Sequence, residues 1–210
     1  MSNKIKRSVV IVICIVAFFF TVLITWRHSN NKDLSKANET KIIDSLKNMK
    51  GYETDIELEV LNGRQNLKYS GKQKYLKNIG KEINLGENRI FTYDKDSIHV
   101  NDKANMKKYD LPENFDEILN QLGVEKFCEF LDSSSQVVIS NKELDNKEYL
   151  AIDLLLPGYN KNIYRGIMYI DSESGIPNQY HILDEKGTIR IRCNYKKFLN
   201  KEKIENFEIK

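Results

Sequence analysis

The stretch Tyr52-Glu-Thr-Asp-Ile-Glu-Leu-Glu-Val-Leu-Asn-Gly-Arg-Gln-Asn-Leu-Lys-Tyr-Ser-Gly-Lys-Gln-Lys-Tyr75 decides the fold. Before Asn62-Gly63, Glu53, Asp55, Glu57 and Glu59 alternate with Thr54, Ile56, Leu58 and Val60. After it, Arg64, Asn66, Lys68, Ser70, Lys72 and Lys74 alternate with Gln65, Leu67, Tyr69, Gly71 and Tyr75. A period of two marks half-buried strands, and Asn-Gly is the preferred pair for a two-residue type I′ turn. Counting outward from a turn centred on Asn62-Gly63 sets Glu57 opposite Lys68 and Glu53 opposite Lys72. Leu58 then meets Leu67, and Ile56 meets Tyr69. Turn chemistry, register and cross-strand charge agree on one long hairpin. Four acids on one strand face are also raw material for a calcium site or an acid–base pair. With lysines opposite them, they read as the solvated face of a half-buried antiparallel sheet.

Upstream, Ile42, Ile43, Leu46 and Met49 recur at helical spacing, with Asn38 as candidate N-cap and Gly51 as terminator. Downstream, Arg89–Tyr93 and Ser97–Val100 flank a tight turn, and Met106–Leu111 adds a short strand. Pro112 is expected to open a second helix, with Phe115, Ile118, Leu119 and Leu122 on one side, continuing past Gly123 toward Leu131. After Ser133-Ser134-Ser135 the pattern is β nearly to the end: 136–140, 148–156, 163–171, 178–183 and 188–195. Many short strands with two inserted helices predict a mainly β, β-rich α+β domain over 38–210 with one curved antiparallel sheet.

The charge has an address. The formal net charge is +3, and residues 1–26 hold Lys4, Lys6 and Arg7 with no acid, so the rest of the chain is formally neutral. That excludes an electrostatic footprint for nucleic acid. The run Ser8–Trp26 carries no charge and is about 28 Å long as a helix, close to the thickness of a bilayer core. Trp26 stands where an interfacial aromatic belongs. A cleaved signal peptide looks similar, but the run exceeds a usual apolar core and no small-x-small pair follows it closely. The expectation is therefore a basic tail (1–7), an uncleaved membrane anchor (8–26), a linker (27–37) and a domain outside the cytoplasm.

The search for chemistry finds no catalytic signature. His28, His99 and His181 are scattered, no C-x-x-C or H-E-x-x-H exists, and neither a G-x-S-x-G elbow nor a phosphate loop follows a strand. The expectation is a protein that is not an enzyme, with no catalytic residue, metal or cofactor. Cys128 and Cys193 allow one disulfide or two buried thiols. The aromatics are generous, with 11 Tyr and 9 Phe, and several sit on strands. They build an ordinary core or line an apolar groove on a curved sheet, the candidate lining being Ile56, Leu58, Leu67, Tyr69, Phe91, Tyr93, Tyr169 and Tyr180.

Two C-terminal stretches resemble a known family. Tyr169-Ile-Asp-Ser-Glu-Ser-Gly-Ile-Pro177, then Tyr180-His-Ile-Leu-Asp-Glu-Lys-Gly-Thr-Ile-Arg-Ile-Arg-Cys-Asn-Tyr195 and Phe198, are similar to the closing strands of LolA-like proteins. Those strands carry an Asp…Gly-x-Pro turn, a D-x-x-G hairpin and a terminal Y-x-x-F. The resemblance implies a strongly curved half-barrel with helices on its concave side. Within that family the chain looks most like the clostridial germination lipoproteins called GerS and their relatives. Lys, Ile and Asn make up 72 of 210 residues, the bias of an AT-rich genome. The resemblance implies a sporulation or germination accessory, at the cell surface or between the membranes of a forespore, whose partner is a cortex-modifying N-acetylmuramoyl-alanine amidase or another envelope protein. Acyl chains of lipid in the groove are the second expectation, and a homodimer through an exposed sheet edge is a further one. Cys14 follows Ile11-Val12-Ile13 and lacks a lipobox, so a helix replaces the lipid anchor.

Overall fold

The computed structural model describes residues 36–204 apart from 64, 87, 95, 96, 113, 114, 116 and 117. The chain divides into two units, Met1–Ile43 and Asp44–Lys210. Of the first, residues 36–43 are helical; they open helix α1, whose described part is 36–47. Asn38 lies inside this helix and does not cap it. The expected tail and anchor, and the expected linker up to residue 35, lie outside the described residues. Among the described residues no helix is long and apolar enough to cross a membrane.

Among the described residues eleven strands follow: β1 (Gly51–Asn62), β2 (Gln65–Leu76), β3 (Gly80–Leu85), β4 (Arg89–Tyr93), β5 (Ser97–Asp102), β6 (Lys107–Pro112), β7 (Val137–Leu144), β8 (Lys147–Leu155), β9 (Arg165–Asp171), β10 (Pro177–Leu183) and β11 (Ile189–Asn200). Between β6 and β7 lie a 3-10 turn (Asn120–Leu122) and helix α2 (Val124–Ser133). All the strands form one sheet in the order β6-β5-β4-β3-β2-β1-β11-β10-β9-β8-β7. Every neighbour pair is antiparallel. Two meanders therefore meet where β1 pairs with β11, and the segment that carries α2 joins one edge of the sheet to the other. The mainly β, curved, single-sheet expectation holds.

Alternation sorts the strands into two faces. Tyr52, Thr54, Ile56 and Leu58 of β1, Ile83, Ile98, Val100, Leu150, Ile152, Leu154, Met168, Ile170, Tyr180, Ile182, Ile191, Cys193 and Tyr195 form the buried face. The face behind them carries the acids and bases. Glu59 pairs with Lys68 at 2.7 Å and with Arg192 at 3.0 Å, and Lys72 pairs with Glu53 at 3.2 Å. These pairs are partly exposed, so water screens them and they hold the fold only weakly.

Three expectations are corrected. First, the hairpin pairs Asn62 with Gln65 and Glu59 with Lys68, so Glu57 meets Ser70, Leu58 meets Tyr69 and Ile56 meets Gly71. A turn moved by one residue shifts the register by two, which leaves both faces unchanged, so alternation alone could not separate the two registers. A Cβ on Gly71 would lie 2.1 Å from the carbonyl oxygen of Asn84, so β2 meets β3 at a position only glycine fits. Second, Pro112 is the last residue of β6, and the second α-helix does not run on through Gly123: α2 starts at Val124, after Gly123 in extended conformation (φ −77°, ψ 140°). Third, β3 was missed, although Ile83 and Leu85 alternate between Gly80 and Gly86.

The C-terminal motifs prove to be turn-formers. The Asp171 carboxylate accepts the backbone N–H groups of Glu173 and Ser174, and that of Asp184 accepts those of Lys186 and Thr188. The backbone N–H of Ser174 contributes most to holding Asp171 below the usual carboxylate range, and that of Thr188 does so for Asp184.

Candidate functional site

The site is built on the buried face where the two meanders join, because β1 and β11 supply its floor and the α2 segment its cover. The cover is fastened by polar bonds as well as apolar packing. The Tyr195 hydroxyl donates to the Leu122 carbonyl oxygen at 2.7 Å, and the Tyr52 hydroxyl donates to Glu125 Oε2 at 2.6 Å. Gln73 Nε2 and the backbone N–H of Val124 donate to the same Tyr52 oxygen at 2.9 and 3.2 Å. Burial, then the neighbouring Glu125 carboxylate, raises the Tyr52 hydroxyl well above its ordinary range, so it stays a donor.

Lys81 completes the fastening. Its ammonium donates to the Asn120 carbonyl at 2.6 Å and to Asn120 Oδ1 at 3.0 Å, and lies 3.2 Å from Glu125 Oε1. It also stands 4.7 Å from the centre of the Tyr93 ring. The side chains are 4% and 13% exposed, so this ion pair is desolvated and depends on its full set of partners. Phe127 of α2 meets Tyr180 edge-on at 5.3 Å, filling the middle of the concave face.

The cover does not reach the turn end of the β1–β2 hairpin. Leu67 and Tyr69 share the concave face, opposite Val60 and the buried Leu58, yet are 43% and 42% exposed. A cavity of about 570 Å³ opens at this end, between Val60–Gly63, Ile118, Ile163 and Ile191. Its lining is aliphatic apart from Asn62, Asn160, Asn162 and Arg190. Such a surface offers shape and apolar area, with a few amides and one guanidinium for orientation. Among the described residues no cluster of His, Cys, Asp and Glu has metal-holding geometry.

The predicted lining residues are thus divided. Ile56, Leu58, Tyr93 and Tyr180 are core, at 1%, 2%, 6% and 0% exposure, and Phe91 beside them is half-buried. Leu67 and Tyr69 are at the open end. Tyr169 is a correction: it pairs with Gln179 and Ala151 on the convex face, where its ring meets His181 at 5.1 Å. Tyr180, on the opposite face from that pair, packs inward against Gly166, where a Cβ would lie 2.7 Å from its hydroxyl oxygen. Sequence reasoning missed Val60, Ile163 and Ile191, although Val60 and Ile191 lay in plain alternation. Cys128 and Cys193 are both free and buried, so the disulfide alternative gives way to two thiols, each pushed up to about 12 chiefly by burial.

One curved antiparallel sheet, its two edges joined by a helical segment laid over the concave face, is the architecture of this β protein. The chain belongs to the family described as sporulation protein YdcC-like, which matches residues 6–208. Curated proteins return no match. Among solved structures it is similar to an uncharacterized conserved protein from Thermus thermophilus, with 11% identity, TM-score 0.51, and coverage of 80% of this chain and 90% of that one. It is also similar to the structure of the CwlD amidase from Clostridioides difficile in complex with the GerS lipoprotein, at 19% identity, TM-score 0.48, and 79% and 95% coverage. A third is the LolA superfamily protein NE2245 from Nitrosomonas europaea, at 8% identity, TM-score 0.41, and 81% and 95% coverage.

Proposed function

We propose that this chain is a membrane-anchored accessory protein of sporulation or germination that works by binding, without chemistry of its own. Residues 8–26 hold it in the membrane with the sheet outside the cytoplasm, and its partner is a cortex-modifying amidase or another envelope protein. The family description supports the setting. The observation that carries the binding reading is the uncovered end of the concave face, where Leu67 and Tyr69 stand exposed beside an aliphatic cavity. An apolar segment of a partner seated there removes that surface from water and leaves the Lys81–Glu125 fastening intact. A second reading, an acyl chain as occupant, is favoured by the cavity volume of about 570 Å³.

The test is recovery of the tagged full chain from membranes of sporulating cells, with protein and lipid in the eluate both analysed, for the natural sequence and for Tyr69→Lys. An amidase or other envelope protein that is retained by the natural chain and lost with Tyr69→Lys supports the adaptor. Lipid alone in the natural eluate transfers the site to the acyl reading, and a partner retained equally by both chains removes this surface from the function.

A further inference from the structure

The two edges of the sheet are not alike. Edge β6 carries exposed Lys107, Lys108 and Asp110 and ends at a proline, the usual guards against strand addition. Edge β7 begins with three successive exposed apolar residues, Val137, Val138 and Ile139, at 37%, 55% and 40%, and its charges, Lys142 and Glu143, come only afterwards. Among the described residues no strand lies beyond it.

The hydrogen-bond phase of β7 is fixed by its inner neighbour. The N–H of Leu155 donates to the Gln136 carbonyl oxygen, so even-numbered residues of β7 bond inward to β8 and Val137 and Ile139 aim their backbone groups outward. An added strand must match that phase and meet an apolar trio that faces both sides of the sheet. A second copy of β7 does both. Antiparallel pairing about a two-fold axis at Val138 sets Val137 against the other copy's Ile139, in two hydrogen-bonded pairs, and Val138 against itself in a non-bonded pair. Lys142 and Glu143 then fall opposite the serine turn before β7, not opposite each other or the trio. Moving the axis to Ser140 sets Lys142 against Val138 and Glu143 against Val137; moving it to Ile139 sets Val137 against Asn141. Only the axis at Val138 pairs the trio wholly with itself.

We propose that β7 is a self-pairing edge, through which two copies of this chain join Val137–Ile139 antiparallel and continue one sheet into the other. The interface is independent of the groove: it uses backbone groups and side chains that the open end of the concave face does not contain, and its test reads self-association alone.

The test uses the full chain in membranes, in a Cys14→Ser background, where the remaining native thiols are buried. Val138→Cys places two thiols across the axis at a Cα separation of about 4.5 Å, within disulfide range. The expected result is a spontaneous disulfide dimer on non-reducing electrophoresis, at least tenfold more abundant than for Leu144→Cys, which is 37% exposed on the same strand and far from the axis. Val138→Lys, at a position exposed enough not to disturb folding, sets like charges face to face. It is expected to cut co-purification of two differently tagged copies at least tenfold. A Val138→Cys yield no greater than that of Leu144→Cys, or a disulfide to a different protein, overturns the proposal.

Discussion

Tyr195 and Phe198 are three residues apart on one strand and yet lie on the same face, their rings edge-to-face with centroids 6.2 Å apart. In a regular strand such a pair points to opposite sides. The register with β1 slips between Glu53 and Asp55, and Lys197 takes φ 49°, so a bulge turns Phe198 inward onto Tyr52, 5.0 Å away and stacked. The terminal Y-x-x-F spacing is therefore a bulge signature, and its purpose is to close the core beneath Tyr52.

Lys197→Gly is expected to stabilise the fold by about 1 kcal/mol, since a left-handed backbone costs glycine nothing. Its side chain loses only an ion pair with Asp55, in which the lysine is 83% exposed. Phe198→Ala, at a residue 9% exposed, is expected to cost about 3–5 kcal/mol. Equilibrium unfolding in urea checks both. A destabilised Lys197→Gly would remove the account of the bulge.

The Lys81–Glu125 fastening predicts strong non-additivity. Lys81→Met alone leaves the Glu125 carboxylate without its cation in a nearly dry site and is expected to cost about 3–5 kcal/mol. Lys81→Met with Glu125→Leu is expected to recover more than half of that loss. A double-mutant cycle measures the coupling, and additive single effects would show that the two groups do not work as a pair.

Acid should weaken the fold through His181 before it reaches the carboxylates. Burial, and secondarily Arg192, pushes its imidazole down to about 4 from an unfolded value near 6.5, and its Nε2 has no partner. The unfolded chain binds a proton that the folded chain refuses, so stability falls as pH drops from about 6.5 toward 4, by at most about 3 kcal/mol. Asp171 and Asp184, whose carboxyls are held low, lose their contribution only as pH falls further. Denaturant midpoints at pH 7 and pH 5 should differ in the natural chain and agree in His181→Gln; equal slopes would clear His181 of the effect.

The thiols supply a probe of the same core. With Cys128 and Cys193 buried and their protonated forms favoured, a maleimide is expected to label both at least a hundredfold more slowly in the native protein than in denaturant. Rapid native labelling at Cys128 would show that α2 leaves its seat readily.

Alternation made the sheet legible. The acids of β1, the lysines of β2 and the Asp184 turn announced strands and turns because each depends on neighbours in sequence. What alternation could not fix was anything decided by a third strand. The hairpin register differs by two from the expected one because registers two residues apart keep identical faces. Tyr169 was placed in the groove because Tyr169 and Tyr180 sit on separate strands whose relative phase only pairing reveals. The fastening of α2 was invisible for a similar reason: Tyr52, Gln73, Lys81 and Glu125 come from four elements and carry no shared spacing. The site's open end was half legible, since Leu67 and Tyr69 were named, but only the extent of α2 decides which concave residues stay uncovered.

The pairing of Ile56 with Tyr195 means that the first strand made is completed by the last. As the chain leaves the ribosome or the translocation pore, each meander can form hairpin by hairpin, but the seam between them waits for residues 189–200 to emerge. Until then β1 and β10 are both open edges, and the half-finished protein is two separate sheets joined by a tether. A stop codon or a proteolytic cut just before Ile189 would therefore release not a slightly shortened domain but an unzipped one.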